Sequence, residues 1–197
     1  MPSAEYDLWY LRDGIDLLEN YLLSKDIYWP VGVAPPAGDP PYPQLTLGNL
    51  LLSHQRARAT AQTPNQRAEF DRLNTELEAI RAHWRVAMSK KAEAEFHARL
   101  ILWRDFLEEY RKTPSANYDR YAYEVNRRVL LDLLGRETYE LPPAETELLD
   151  ALDKLLTSLL IMGGFIWEPE LIAAFSVDRF WYLYGYLPKA QASPQRT

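Results

Sequence analysis

The chain has 197 residues, 47% of them hydrophobic, and contains no cysteine. This length favours a single domain with one core, and the lack of cysteine excludes disulfides, thiolate nucleophiles and cysteine-ligated metals. The formal net charge of −6 argues against nucleic-acid binding, because phosphate contacts require a concentrated basic surface.

The sequence also favours a protein outside the membrane. Its longest weakly polar run, from Leu155 to Trp167, contains polar residues and glycines and is shorter than the roughly 20 apolar residues of a spanning helix. The N-terminus is acidic and does not have the basic and apolar regions of a signal peptide. We therefore expect a cytoplasmic protein that does not enter a membrane.

A first amphipathic helix is predicted to begin at Ser3, whose hydroxyl can cap free backbone N–H groups. Its apolar residues recur at three- and four-residue spacing and form one stripe: Leu8, Leu11, Ile15, Leu18 and Leu22. Gly14 lies within this helix and costs about 1 kcal/mol relative to alanine. It either permits the close approach of a neighbour or is simply tolerated.

Residues 30–45 are predicted to be a proline-rich connection, since six prolines lie between Pro30 and Pro43 and proline cannot continue a helix. The segment could be a docking strip, a lid over a pocket or a stiff linker, and the linker is the ordinary role of such connections. Thr46 is the expected N-cap of a second helix that ends near Gln62.

The segment after Thr63 is predicted to be one very long helix, or two nearly continuous ones, because no glycine or proline lies between Pro64 and Pro114. Thr63 and Gln66 match a capping box. Two apolar stripes lie on nearly opposite sides: Phe70, Leu73, Leu77, Ile80, Trp84 and Ala87, then Phe96, Leu100, Trp103, Leu107 and Tyr110. The helix therefore either passes between two layers or kinks near Ser89–Lys91.

Two further helices are expected, one capped by Ser115 or Asn117 and ending at Gly135, and one from Pro143 to Met162. Aromatic residues then crowd the chain up to Tyr186, around short helices near Pro169 and Ser176. Because aromatic side chains bury 150–250 Å² each, this segment is predicted to seal the core. One helical domain is expected over residues 1–188, with a flexible polar tail at 189–197.

No motif for catalysis, cofactor binding or metal binding was recognised. His83 and His97 would lie about 21 Å apart in a continuous helix and cannot share a metal, and Glu93 with His97 supplies only one edge of a site. Glu93 and Glu95, with the neighbouring Lys90 and Lys91, are interpreted as surface ion pairs. We therefore predict no catalytic residue, no cofactor and no metal ion.

The sequence as a whole predicts an all-α, single-domain helical bundle built around one long central helix, continuous or kinked, with short aromatic-rich C-terminal helices. The leading functional hypothesis is a non-enzymatic protein-interaction or self-assembly module, with a protein partner or a second copy. The alternative is a small-molecule-binding bundle with an aromatic pocket lined by Trp103, Tyr121, Trp167 and Trp181. An enzyme would need a buried carboxylate or histidine in a cleft.

Overall fold

The computed structural model describes residues 3–189, so residues 190–197 of the expected polar tail lie outside the described part. The fold is all-α, as predicted. Its helices are α1 (Ala4–Leu23), α2 (Leu47–Thr60), α3 (Pro64–His83), α4 (Arg85–Lys112), α5 (Pro114–Asn117), α6 (Tyr121–Glu124), α7 (Asn126–Leu134) and α8 (Pro143–Leu159), and a small antiparallel sheet pairs β1 (Ile161–Met162) with β2 (Gly185–Tyr186). Within the described residues no helix combines the length and apolar character that crossing a membrane requires.

The first two helices begin at the predicted caps and pack against each other. The Ser3 hydroxyl accepts a hydrogen bond from the Tyr6 N–H, and Thr46 caps α2 in the same way. All five residues of the α1 stripe are buried. A Cβ at Gly14 would lie 2.6 Å from Leu50 Cδ1, so this glycine permits the close approach of α2.

The connection between α1 and α2 contains no helix, as its prolines predict. Trp29 and Leu45 exchange backbone hydrogen bonds of 2.9 and 2.8 Å, which close the connection into a loop. The Tyr6 and Tyr10 hydroxyls donate to the carbonyls of Pro41 and Gln44, at 3.3 and 3.1 Å. The connection is therefore fixed along α1.

The long middle segment consists of two nearly continuous helices that meet at Trp84, where φ is −105° and ψ is 27°. The Trp84 N–H still donates to the Ile80 carbonyl at 2.8 Å, and its indole N–H donates to Glu19 of α1 at 3.1 Å. The predicted kink at Ser89–Lys91 is wrong in position. Lys91 interrupts the stripe because it is a buried cation inside α4, not because the helix bends there.

The helices on either side of Trp84 share α1 and α2 as neighbours, and α4 packs against α7 and α8 in addition. In α3, Leu73 and Leu77 are buried, and α3 packs against α1. The second stripe is buried throughout, and α4 contacts α1, α2, α7 and α8. Helix α4 also contacts α3 and α5, its neighbours in the chain, so this longest helix packs against six others.

The helix predicted to run to Gly135 is instead broken into α5, a 3₁₀ turn at Tyr118–Arg120, α6 and α7. At its start, the Asn117 side-chain amide donates to the carbonyls of Glu109 and Thr113 at 3.3 and 3.0 Å, which caps the end of α4.

The C-terminal segment is less helical than the sequence predicts. Helix α8 ends at Leu159, and Ile161 and Met162 pair with Tyr186 and Gly185. The expected short helices are 3₁₀ turns at Pro169–Leu171 and Trp181–Leu183. Three aromatic side chains of this segment are fully buried and cover the core: Phe175, Phe180 and Tyr182.

Candidate ligand-binding cleft

An open cleft of about 650 Å³ lies between α1, α2, α6 and the segment that follows β1. This volume falls within the range of about 300–1,000 Å³ that is typical of small-molecule sites. We call it the Asp7 cleft, and its lining residues are Tyr6, Asp7, Pro43, Asn49, Leu52, Ser53, Arg56, Ala122, Tyr123, Asn126, Trp167 and Glu168.

Asp7 is a buried carboxylate in the wall of the cleft. Its Oδ2 accepts a hydrogen bond of 3.1 Å from Arg56 Nε. Burial raises the pKa of the Asp7 carboxyl above its ordinary value, while Arg56 and Ser53 act in the lowering direction. Perturbed carboxylates of this kind are common at functional sites.

A second carboxylate lies on the other side of Arg56. Glu168 Oε2 is 4.0 Å from Arg56 Nη1, which is an ion-pair distance but longer than a hydrogen bond. The side chain of Glu168 is 28% exposed, whereas that of Asp7 is 5% exposed. Of the two acids, Glu168 is therefore the one that a molecule entering the cleft can contact.

Three aromatic residues contribute to the lining. The Trp167 indole N–H donates to the Ala122 carbonyl at 3.2 Å, and its ring meets Phe175 edge to face, so its orientation is fixed. Tyr6 is held by its hydroxyl at Pro41. Tyr123 is 78% exposed, and its ring therefore has room to move.

The predicted pocket residues are not gathered in this cleft. Trp103 is fully buried and stacks on Phe106 with ring centroids 5.7 Å apart. Tyr121 is also buried, and its hydroxyl donates to the Tyr182 carbonyl at 2.6 Å. Trp181 lines a different, shallow cavity. Of the four residues, Trp167 alone lines the Asp7 cleft.

Sequence reasoning missed the charged residues of the cleft. In the sequence, Asp7 belongs to the acidic first turn of a helix, and Arg56 lies among charges of both signs, a pattern typical of a solvated surface. One signal was present, because Asp7 lies four residues before Leu11 and so shares the buried face of α1. Nothing comparable marks Glu168, which reaches the cleft through the tertiary fold.

Two of the four residues interpreted as surface ion pairs are buried. Glu95 is fully buried and accepts hydrogen bonds from the Gly48 N–H at 2.9 Å and from Arg99 at 3.0 Å. Lys91 is also buried and donates to the carbonyls of Ser24 and Asp26. The surface interpretation is therefore wrong for both, because α2 and the end of α1 cover this face of α4.

Glu93 and His97 do not come together as one side of a metal site. His97 Nδ1 lies 2.7 Å from Glu145 Oε1 on α8, and Glu93 accepts a hydrogen bond from Ser89. Within residues 3–189, no group of three or more His, Asp or Glu side chains is placed to hold a metal ion.

Comparison of the chain with known protein families, with curated proteins and with solved structures finds no match.

Proposed function

We propose that the protein binds a small organic molecule in the Asp7 cleft. The observation that carries this proposal is the cleft itself, in which a buried, hydrogen-bonded carboxylate and three aromatic residues converge on about 650 Å³ of open space. Concave sites with mostly apolar walls and a few placed polar groups are where small ligands bind. Of the two functions expected from the sequence, this geometry favours the small-molecule-binding bundle.

The polar groups of the cleft suit recognition. Asn49 and Asn126 line the cleft and carry both donors and acceptors. Asp7 is buried and is held by its hydrogen bond from Arg56, so its position is fixed. Fixed groups bind a ligand without the cost of first being ordered.

The test is a fragment screen by protein-observed NMR, in which binding shifts the amide signals of the residues around the cleft. Asn126→Trp places a large ring in the cleft wall, and we expect it to abolish binding of the hits. Asn65→Trp is the matched control, since Asn65 is exposed near the start of α3. The proposal fails if no fragment shifts the cleft signals, or if Asn126→Trp and the control bind the hits equally well.

A second candidate function, self-assembly, is favoured by the exposed sheet. Ile161, Met162 and Tyr186 are 43%, 59% and 54% exposed, and a two-stranded sheet leaves an outer edge on each strand. We expect concentration-dependent dimers in sedimentation velocity that Met162→Asp removes. Val86→Asp, at an equally exposed apolar residue on α4, is the control. A monomer at every concentration would exclude this function.

A further inference from the structure

The charges of the Asp7 cleft indicate the class of molecule that it takes. We infer that the ligand is an organic cation, an ammonium group attached to an apolar or aromatic body; this inference rests on the proposed function. Two carboxylates, Asp7 and Glu168, line the cleft together with one guanidinium, Arg56. The charged lining therefore has one excess negative charge, which a single ligand cation neutralises.

The geometry around Arg56 disfavours an anionic ligand. The Arg56 Nε–H already donates a hydrogen bond to Asp7, and Arg56 Nη1 lies 4.0 Å from Glu168 Oε2. An anion that reached Arg56 would thus come close to two carboxylates, and like charges at such distances repel strongly in a partly buried site. A cation can instead approach the Glu168 carboxylate, which is partly exposed and is not within hydrogen-bond distance of Arg56.

The aromatic residues provide the second part of a cation site. An ammonium group is attracted to the face of an aromatic ring within about 6 Å, and tryptophan is the strongest partner. Trp167 is adjacent to Glu168 in the chain and its ring is fixed by the hydrogen bond to Ala122. Tyr123 also lines the cleft and is 78% exposed, so its ring is accessible to a bound ligand.

This lining is a local property and does not simply follow from the net charge of the chain. A separate cavity of about 350 Å³ has a lining rich in arginine, with Arg81, Arg85 and Arg136 beside Glu137. Acidic and basic concavities thus occur on the same molecule. Selectivity for cations in the Asp7 cleft can therefore be separated from general attraction to an acidic protein.

The experiment uses three probes with the same aromatic body and different charge: benzyltrimethylammonium, benzyl alcohol and benzoate. Affinities are measured from NMR shifts of the full chain at physiological ionic strength. We expect benzyltrimethylammonium to bind at least about tenfold more tightly than benzyl alcohol, since one desolvated cation–aromatic contact is worth about that factor. Benzoate should not bind in this cleft.

Two charge variants separate local recognition from bulk attraction. Glu168→Gln removes the carboxylate that faces the cleft and with it the Coulombic attraction to the probe, so we expect benzyltrimethylammonium binding to weaken about three- to tenfold and benzyl alcohol binding to stay unchanged. Glu170→Gln removes the same charge from an exposed position two residues away and should change neither affinity. Thermal denaturation of both variants confirms that they fold like the parent chain.

The outcomes are distinct. Equal binding of the cationic and neutral probes, with both blocked by Asn126→Trp, would overturn the cation inference and leave the proposed function standing. Equal weakening by Glu168→Gln and Glu170→Gln would also overturn it, since the attraction would then be non-specific. If no probe binds while fragments of other chemistry occupy the cleft, the inference is again wrong. If nothing binds the cleft at all, the proposed function fails as well.

Discussion

At the scale of single residues, the unexpected feature is that α4 places two buried charges against the ends of two other helices. Glu95 accepts the Gly48 N–H in the first turn of α2, where the helix dipole favours a negative charge. Lys91 donates to two carbonyls just beyond the end of α1 and lies 4.4 Å from the centre of the Tyr21 ring. Burial lowers the pKa of Lys91, and the nearby Asp26 and Glu95 oppose that shift.

Sequence alone could not identify these residues as buried. Alternating charges along a helix are ordinarily the solvated face. Lys91 follows the first apolar stripe in register, but the register does not show which neighbour covers it. The packing of α1 and α2 on this face of α4 covers Lys91 and leaves Lys90 exposed.

The role of Glu95 leads to a stability prediction. Glu95→Ala leaves the Arg99 guanidinium and the Gly48 N–H without their buried partner, so we expect the free energy of unfolding to fall by about 3–5 kcal/mol. Glu95→Gln retains one acceptor and should cost less. Urea denaturation measures both, with Glu108→Ala on the half-exposed face of α4 as control. A loss at Glu95 no larger than that at Glu108 would contradict this role.

At the scale of helices and strands, the sequence predicts the helix starts correctly but not the bends and ends that depend on tertiary contacts. Ser3, Thr46 and Thr63 begin helices as predicted, because an N-cap needs only a side chain and the N–H groups that follow it. The bend at Trp84 carries no glycine or proline to mark it. It is accompanied by the contact of Trp84 with Glu19 of α1, and that contact exists only in the folded chain.

The end of α8 shows the same distinction. Two glycines, at 163 and 164, follow Met162 and favour a helix that ends there. The structure ends α8 at Leu159, and the next residues pair as a strand with residues distant in sequence. Gly185 makes this pairing feasible, because a Cβ there would lie 2.6 Å from the Ile161 carbonyl oxygen.

Gly185→Ala is therefore predicted to disrupt the pairing of β1 and β2. The atom that the new methyl group meets belongs to the backbone and cannot rotate away, so we expect a loss of about 1–3 kcal/mol in the free energy of unfolding. Amide exchange of the Gly163 N–H, which donates to the Tyr184 carbonyl, should accelerate. Gly164→Ala has open space around it and should have little effect. Equal stability of the two variants would refute this explanation.

At the scale of the whole molecule, the buried apolar residues form one continuous cluster that runs from α1 to the C-terminal segment. A single contiguous core is what the composition predicts for a chain of this size. The single domain over residues 1–188 remains a prediction, and the unfolding behaviour of the chain tests it.

We expect one cooperative unfolding transition, because no part of the described core is separated from the rest. Tryptophan fluorescence, which includes the fully buried Trp103, and far-ultraviolet circular dichroism should give the same urea midpoint. Two separated midpoints would show that the chain contains more than one folding unit.

The fold class could be predicted because helical periodicity and caps are local properties. The cleft could not, because its walls come from α1, α2, α6 and the segment after β1, and the register between these elements is set by packing. Aromatic character predicts Trp167 as a pocket residue, but it predicts Trp103 equally well, and Trp103 is buried in the core.

The placement of the cleft walls has a consequence for synthesis and turnover. Tyr6 and Asp7 precede Trp167 and Glu168 along the chain, with most of the described residues between them. A nascent chain synthesised only as far as β1, or one clipped by a protease after β1, would retain Asp7 and Arg56 but not Trp167 and Glu168. Occupancy of the cleft would thus distinguish chains that carry both walls from chains that end at β1.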